Sequence, residues 1–285
     1  MFLTGGGQAG ELIRKTDWKD TPLGDPETWP DALKTALNIG LNSGFPIAIY
    51  WGREFTILYN DAYSSIPGDK HPWAMGKAGS IVWQEIWHLI AHQFNDVLKH
   101  GESVRMPDSM LPMKRFGYVE ECYFDYTLSP IIDSTGKTRG IFNAVIETTY
   151  KVLNERRNKL LHALSAQAGK FTRSKKALGE ILTPLTTERD DIPFALLYVA
   201  DPLTGKYKLT QAVNCSALAF DYDWKVEQAV GTGKPQLVKD LDKQLPGISD
   251  TGWAEPCCEA VLLPLTRNVS GVDACLVAGV HPGKR

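Results

Sequence analysis

The sequence predicts an α+β chain: two antiparallel sheets of five to six strands, each flanked by helices and joined by a long linker helix. Three observations predict it. A length of 285 residues suits two domains of ordinary size. Short β-branched and aromatic runs, bounded by Gly, Pro, Asn and Asp, recur on both sides of the chain's middle, as strands and turns do. Between the two groups, residues 150–182 carry apolar positions at helical spacing. The expected boundaries are a helical extension at 1–44, a first domain at 45–149, the linker at 150–190 and a second domain at 191–285.

Composition narrows the function classes. Hydrophobic residues at 43% and charged residues at 22% fit a globular protein with a real core. A net charge of −2 exerts no long-range pull on nucleic acid or an anionic membrane. No apolar run approaches the roughly 20 residues of a membrane helix, and the amino terminus lacks the basic and apolar regions of a signal peptide. Five cysteines at irregular spacing argue against a disulfide framework. A reduced, cytoplasmic protein is the expectation.

In chain order, Gly5-Gly6-Gly7 has no strand before it and no Gly-Lys-Ser/Thr after it, so a flexible cap is expected rather than a phosphate loop. Trp18 and Trp29 stand in turn-rich sequence as packing anchors, and Asp31–Leu41 has helical spacing. Phe45–Tyr63 reads as two strands around a turn at Gly52-Arg53-Glu54, with Asn60 and Asp61 as caps for a helix from Ala62. Pro72–Lys77 reads as a short helix closed by glycine, and 80–100 as an amphipathic helix stopped by Gly101. Tyr118–Ile132 and Thr138–Thr148 are strands around the turn 133–137. Further on, Pro193–Ala200 and Tyr207–Val213 form a strand pair. Pro235–Val238, Ala260–Leu265 and Asp273–Val280 are three more strands.

Several of these stretches carry a resemblance. "FPIAIYWG…ILYNDAYSSIPGDKHPWAMGK" and "YVEECYFDYTLSPIIDSTGKTRGIFNAVIETT" resemble the opening and closing strands of a PAS domain, and "DW…TPLG.P..WP..L.T.L" resembles the cap that precedes one. "ALLYVAD…GTGKPQLVKDL…AVLLPLTR…GVDACLVAGVHP" is similar to a GAF domain. The chain from Gly5 to about Pro282 thus resembles the PAS–GAF input region of hybrid sensor histidine kinases. The resemblance implies a signal-sensing module of a two-component phosphorelay. It also implies a small-molecule ligand of unknown identity in the PAS pocket, no named cofactor, and downstream kinase or response-regulator domains if the chain is a fragment. Glu147-Thr148-Thr149 stands where PAS domains end in Asp-x-Thr, a tripeptide that couples the sheet to the outgoing helix; Glu replaces Asp here. GAF domains close with a helix after the last strand, and the sequence stops at Arg285 before one.

The chemistry-bearing residues bound the activity. None of His71, His88, His92, His100, His162 and His281 precedes an acidic residue, as a phosphoacceptor histidine does, and no ATP-lid motif is present, so no catalytic residues are assigned. His88 and His92 have i, i+4 spacing but no third metal ligand in view, so surface histidines are expected and no metal is assigned. Cys257-Cys258 offers an alternative, a GAF-type thiol reductase, against which stand the acidic neighbours Glu255 and Glu259. A ligand-free dimerisation module is the other alternative. The pocket candidates are the aromatic groups Tyr50, Tyr59, Tyr63, Trp83, Trp87 and Tyr123, several with polar handles, together with the polar Asn60, Asp61 and Asp125, a mixture that suits a small-ligand site. Strand alternation sets Tyr123 and Asp125 on one face and Phe124 and Tyr126 on the other, and leaves open which faces the pocket. Leu153 and Leu160 share one heptad position and Leu164, Phe171 and Leu178 another. They serve either a homodimer stalk or a helix lying on the next domain's sheet.

Overall fold

Ile47–Trp51 (β1) and Thr56–Tyr59 (β2) are β-branched, apolar or aromatic throughout, and pair as an antiparallel hairpin with Tyr50 opposite Ile57. The turn is longer than its polar residues suggested, because Phe55 leaves the strand at φ +53°. This computed structural model describes residues 3–19, 21–171, 180–187, 189–248, 255–265 and 273–282. They fall in two units, Met1–Val152 and Leu153–Arg285.

In the first unit, Val104–Lys114 (β3), Val119–Ile132 (β4) and Thr138–Glu147 (β5) form a meander whose last strand pairs with β1. The sheet order is β2-β1-β5-β4-β3, antiparallel throughout. Two strands, helices, then three strands is the order that the sequence resemblance implies. Helix α1 (Gly7–Lys15) starts at the last glycine of the run read as a flexible cap, within the stretch read as a helical extension, and α2 (Asp31–Leu41) matches its spacing. Trp18 and Trp29 meet edge to face at 5.0 Å, both buried.

Two helical expectations are corrected. Residues 80–100 split into α3 (Gly79–Val82) and α4 (Trp87–His100), because Trp83 leaves the helical conformation at φ −110°, ψ 33°, with its indole bonded to Tyr50. Pro72–Lys77 forms turns rather than a helix: Gly76 N–H donates to Ile57 O and Ile57 N–H to Lys77 O, so this stretch satisfies the free edge of β2. Gly101 does stop α4, at φ +69° with its N–H on Val97 O, the left-handed cap that glycine adopts without strain.

Asn60 holds the start of the sheet. Its Oδ1 accepts from Ile47 N at 3.0 Å and Tyr63 N at 3.1 Å, capping a short 3₁₀ turn at Asp61–Tyr63. Its Nδ2 faces the carbonyls of Gly40, Ser43 and Phe45 at 2.8–3.0 Å. Asp61, next in the chain, caps α1 across space: its carboxylate accepts from Gln8 N and Ala9 N. A Cβ on Gly7 would collide with that carboxylate, so the glycine run makes room for an intramolecular anion at a helix N-terminus.

In the second unit, Ala195–Ala200 (β6), Tyr207–Val213 (β7), Gln236–Val238 (β8), Glu259–Leu265 (β9) and Ala274–Val280 (β10) form a sheet of order β7-β6-β10-β9-β8. Phe194 and Trp224 lead one core cluster, closed by the short helices α6 (Leu218–Asp221), α7 (Val226–Thr232) and α8 (Leu241–Gln244). Helix α5 spans Thr149–Phe171; of the expected 150–182, residues 172–179 lie outside the described residues. Leu182 lies in a turn, its N–H donated to Gln211 Oε1. Leu160 is buried with Leu185 and Leu197, and Leu164 packs beside them. Of the two readings of the heptad leucines, these two follow the one that lays the helix on a sheet; Leu178 and the side chain of Phe171 lie outside the described residues.

Replacing Asn60 with Ala strands the buried Ile47 N–H and takes the side-chain donor from the Ser43 and Phe45 carbonyls, while Tyr63 N–H keeps the backbone carbonyl of residue 60. At about 1–3 kcal/mol for each buried group left unpaired, a loss of about 3 kcal/mol is expected. Urea denaturation checks it, and a change under about 1 kcal/mol refutes the clamp.

Candidate functional site

A cavity of about 50 Å³ lies between the sheet of the first unit and the α3–α4 segment. Strand parity builds its floor: Phe124, Tyr126 and Leu128 of β4 and Asn143 and Val145 of β5 point to one side. Ile86, Ile90 and Phe94 form the opposite wall. Trp83 Nε1 donates to Tyr50 Oη at 2.9 Å, and the Tyr50 and Tyr63 hydroxyls bond each other at 3.1 Å. Tyr126 donates to Gln93 Oε1 at 2.7 Å. Asn143 Nδ2 donates to Thr127 O at 3.1 Å.

The α3–α4 turn is latched from outside. Lys70 Nζ donates to Val82 O and to Glu85 Oε1, and it stands 5.1 Å from the centre of the Trp83 ring. Glu85 Oε1 also accepts the Lys114 N–H that opens the β3–β4 turn.

Of the pocket candidates, Tyr50, Tyr63 and Trp83 line the cavity and the others do not. Tyr59 is buried beside Tyr63 and bonds His71 Nδ1 at 2.8 Å. Asn60 and Asp61 serve the clamp and the helix cap. Trp87 packs on Phe55 and Phe94. Tyr123 and Asp125 point to the other face of β4, where Asp125 pairs with Arg105 at 3.0 Å and Tyr123 bonds Glu121. The placement of Tyr123 and Asp125 follows from parity, since Cys122, Phe124, Tyr126 and Leu128 occupy the buried positions. Sequence reasoning passed over Gln93 and Asn143. Each is a polar residue at the apolar parity of its element, between Ile90 and Phe94 and between Ile141 and Val145, and that was the available signal. His88, His92 and His100 are exposed on α4, outside the lining. No cluster of metal-ligating side chains occurs among the described residues.

Electrostatically the cavity is neutral. Burial pushes Tyr50 up to about 12, against the lowering pull of its bonds to Tyr63 and Trp83. Burial, with Tyr50 next to it, pushes Tyr63 well above 10. Both hydroxyls stay protonated at physiological pH.

The sheet connects to α5 through Glu147–Thr149. Thr149 Oγ1 accepts from Tyr123 N at 2.9 Å and donates to Glu147 Oε1 at 2.8 Å. Arg115 grips Glu147 with two nitrogens at 2.8 and 3.2 Å, and Glu120 at 2.8 Å. Thr148 holds Tyr123 O through its backbone N–H at 2.7 Å. A second tie runs from Lys151 to Asp108 at 2.9 Å, and Asp108 sits at φ +42° in a bulge of β3.

Cys257 is buried, its thiol near the carbonyls of Glu259 and Val280 and pushed by burial up to about 11. A thiol so placed is no nucleophile at neutral pH.

No family model matches the chain, and no curated protein does either. Solved structures give likenesses of fold. A sensory box sensor histidine kinase from Vibrio cholerae is 15% identical, with 36% of this chain and 78% of that one covered and a TM-score of 0.28. The GAF domain of an Acinetobacter phosphoenolpyruvate-protein phosphotransferase is 12% identical, over 45% and 81%, at a TM-score of 0.32. A Rhodobacter sphaeroides LOV protein is 15% identical, over 55% and 82%, at 0.36. None of the described helices is long and apolar enough to cross a membrane.

Two outcomes are expected. Unfolded tyrosine ionises near 10, so the stability that neutral Tyr50 confers is complete below pH 10 and is lost as pH rises toward its folded value of about 12. Spectrophotometric titration should therefore leave part of the ten tyrosines silent until the chain unfolds in alkali; all ten titrating in the native state near 10 would contradict the buried pair. Arg115→Met should cost about 2 kcal/mol in thermal denaturation. That is less than the roughly 3–5 kcal/mol of a fully buried pair, because Glu147 is a third exposed.

Proposed function

We infer that the chain is the sensory input part of a two-component signalling protein, a PAS domain at 45–149 followed by a GAF domain at 191–285, working in the cytoplasm. One observation carries this reading: a cavity with no charged lining residue lies on the sheet whose last strand passes directly into α5 through Glu147–Thr149. The sequence resemblance to PAS–GAF input regions supports the same assignment. A small ligand in the cavity favours one arrangement of β4 and β5. Thr149, bonded to both strands, passes that preference to the first turn of α5, and a ligand shifts the balance only by the difference in its affinity for the two arrangements.

Downstream kinase or response-regulator domains belong to this proposal, as does a homodimer through α5, which would have to leave Leu160 and Leu164 in the second unit's core. The reductase alternative has less in its favour, since the Cys257 thiol is buried and held protonated.

Thr149→Val removes both side-chain bonds at the junction and keeps the shape. In the unaltered chain, hydrogen exchange at 150–156 should change when the cavity is filled. In the variant that response should fall by at least half, with binding kept. An equal response in both proteins would refute transmission through Thr149.

A further inference from the structure

We propose that the cavity of the first unit takes a small uncharged molecule carrying a hydrogen-bond acceptor, of the short ketone, amide or alcohol class. This deepens the sensory reading above and rests on it.

Size sets the first limit. A site needs about 10–15 Å³ on this measure for each water, and an engineered cavity of about 150 Å³ takes benzene. At about 50 Å³, the cavity has room for about three to five water-sized groups. A flavin or haem does not fit between these walls.

Charge sets the second. No Lys, Arg, Asp or Glu is among the lining residues. An ion placed there would lose its hydration without a partner, at a cost of several kcal/mol. The tyrosines cannot supply a countercharge, because burial holds both hydroxyls neutral.

The hydrogen balance sets the third. Trp83 Nε1–H and the hydroxyls of Tyr50 and Tyr63 carry three hydrogens, and the two bonds among them use two. Tyr50 and Tyr63 are each at most 3% exposed. Among the described residues no acceptor takes the third hydrogen. Also lining the cavity, Asn143 uses one amide hydrogen on Thr127 O. Its Oδ1 bonds none of the described residues, although the residue is 5% exposed. A buried donor left unpaired costs about 1–3 kcal/mol, so an occupant that accepts from the tyrosine pair is favoured over an apolar one of equal size. Acetone satisfies that need; an alcohol or amide satisfies it and also donates to Asn143.

The test uses the full chain labelled with ¹⁵N and titrated with acetone, acetamide, 2-methylpropene and xenon. The expected result is saturable shifts at the amides of Tyr63 and Asn143 with acetone and acetamide, each bound at least tenfold more tightly than 2-methylpropene, which has the shape of acetone without the acceptor. In Tyr50→Phe/Tyr63→Phe the preference for acetone over 2-methylpropene should fall at least threefold, while xenon affinity stays within twofold. If that variant fails to fold, the comparison between acetone and 2-methylpropene in the unaltered chain decides alone. Equal affinities for those two probes would overturn the inference, and so would water as the sole occupant at saturating probe. A charged or much larger molecule co-purifying with the chain in native mass spectrometry would overturn the ligand class and leave the sensory reading standing. If probes bind as expected but exchange at 150–156 does not respond, the sensory reading fails and the ligand class stands.

Discussion

The first unit depends on one side-chain amide. Asn60 joins the end of α2, the loop at 43–45, the first residue of β1 and the turn that carries Tyr63. A backbone leaving a helix to enter a central strand exposes donors and acceptors that neither element satisfies. In a buried place, water cannot satisfy them either. An asparagine offers both an acceptor and donors within one rigid group, and no apolar residue of similar size could close that junction. Because Tyr63 hangs from the same amide, the clamp also fixes one wall of the cavity.

From there the architecture propagates by parity. Once β1 is fixed, its register with β5 sets Ile141, Asn143 and Val145 toward α4, and the register of β5 with β4 sets Phe124 and Tyr126 beside them. A slip of one residue would turn Tyr123 and Asp125 inward and place an ion pair in the core. The polar atoms that face the cavity thus arise from the same pairing that excludes charge from it.

Much of this was legible in the sequence. The strands of both units except β3, which was given no bounds, follow from their alternation and turn residues, α2 from its spacing, and the end of α4 from Gly101. The candidate site was legible only in part, since Tyr50, Tyr63 and Trp83 carry the aromatic signal but Asn60 and Asp61 look the same whether they bind a ligand or satisfy backbone. What a side chain bonds across 40 or 50 residues, as Asp61 bonds Gln8 and Ala9, leaves no periodic trace. The split of α3 from α4 was hidden because Trp83 and Ile86 keep helical spacing while the chain between them turns. The face of β4 that meets the cavity was undecidable from alternation, which gives two faces without saying which is covered.

The strand orders β2-β1-β5-β4-β3 and β7-β6-β10-β9-β8 are the same permutation, and in each the last strand made is the middle one of the sheet. A ribosome emitting this chain releases the β1–β2 hairpin well before, and the β3–β4 pair just before, the strand that unites them. Until β5 emerges, both half-sheets hold open edges, and contacts of long sequence separation close slowly. The cavity therefore comes into being only when residue 147 is free, at the moment the first turn of α5 follows it out. Its completion and the birth of the outgoing helix are a single event in the life of the nascent chain.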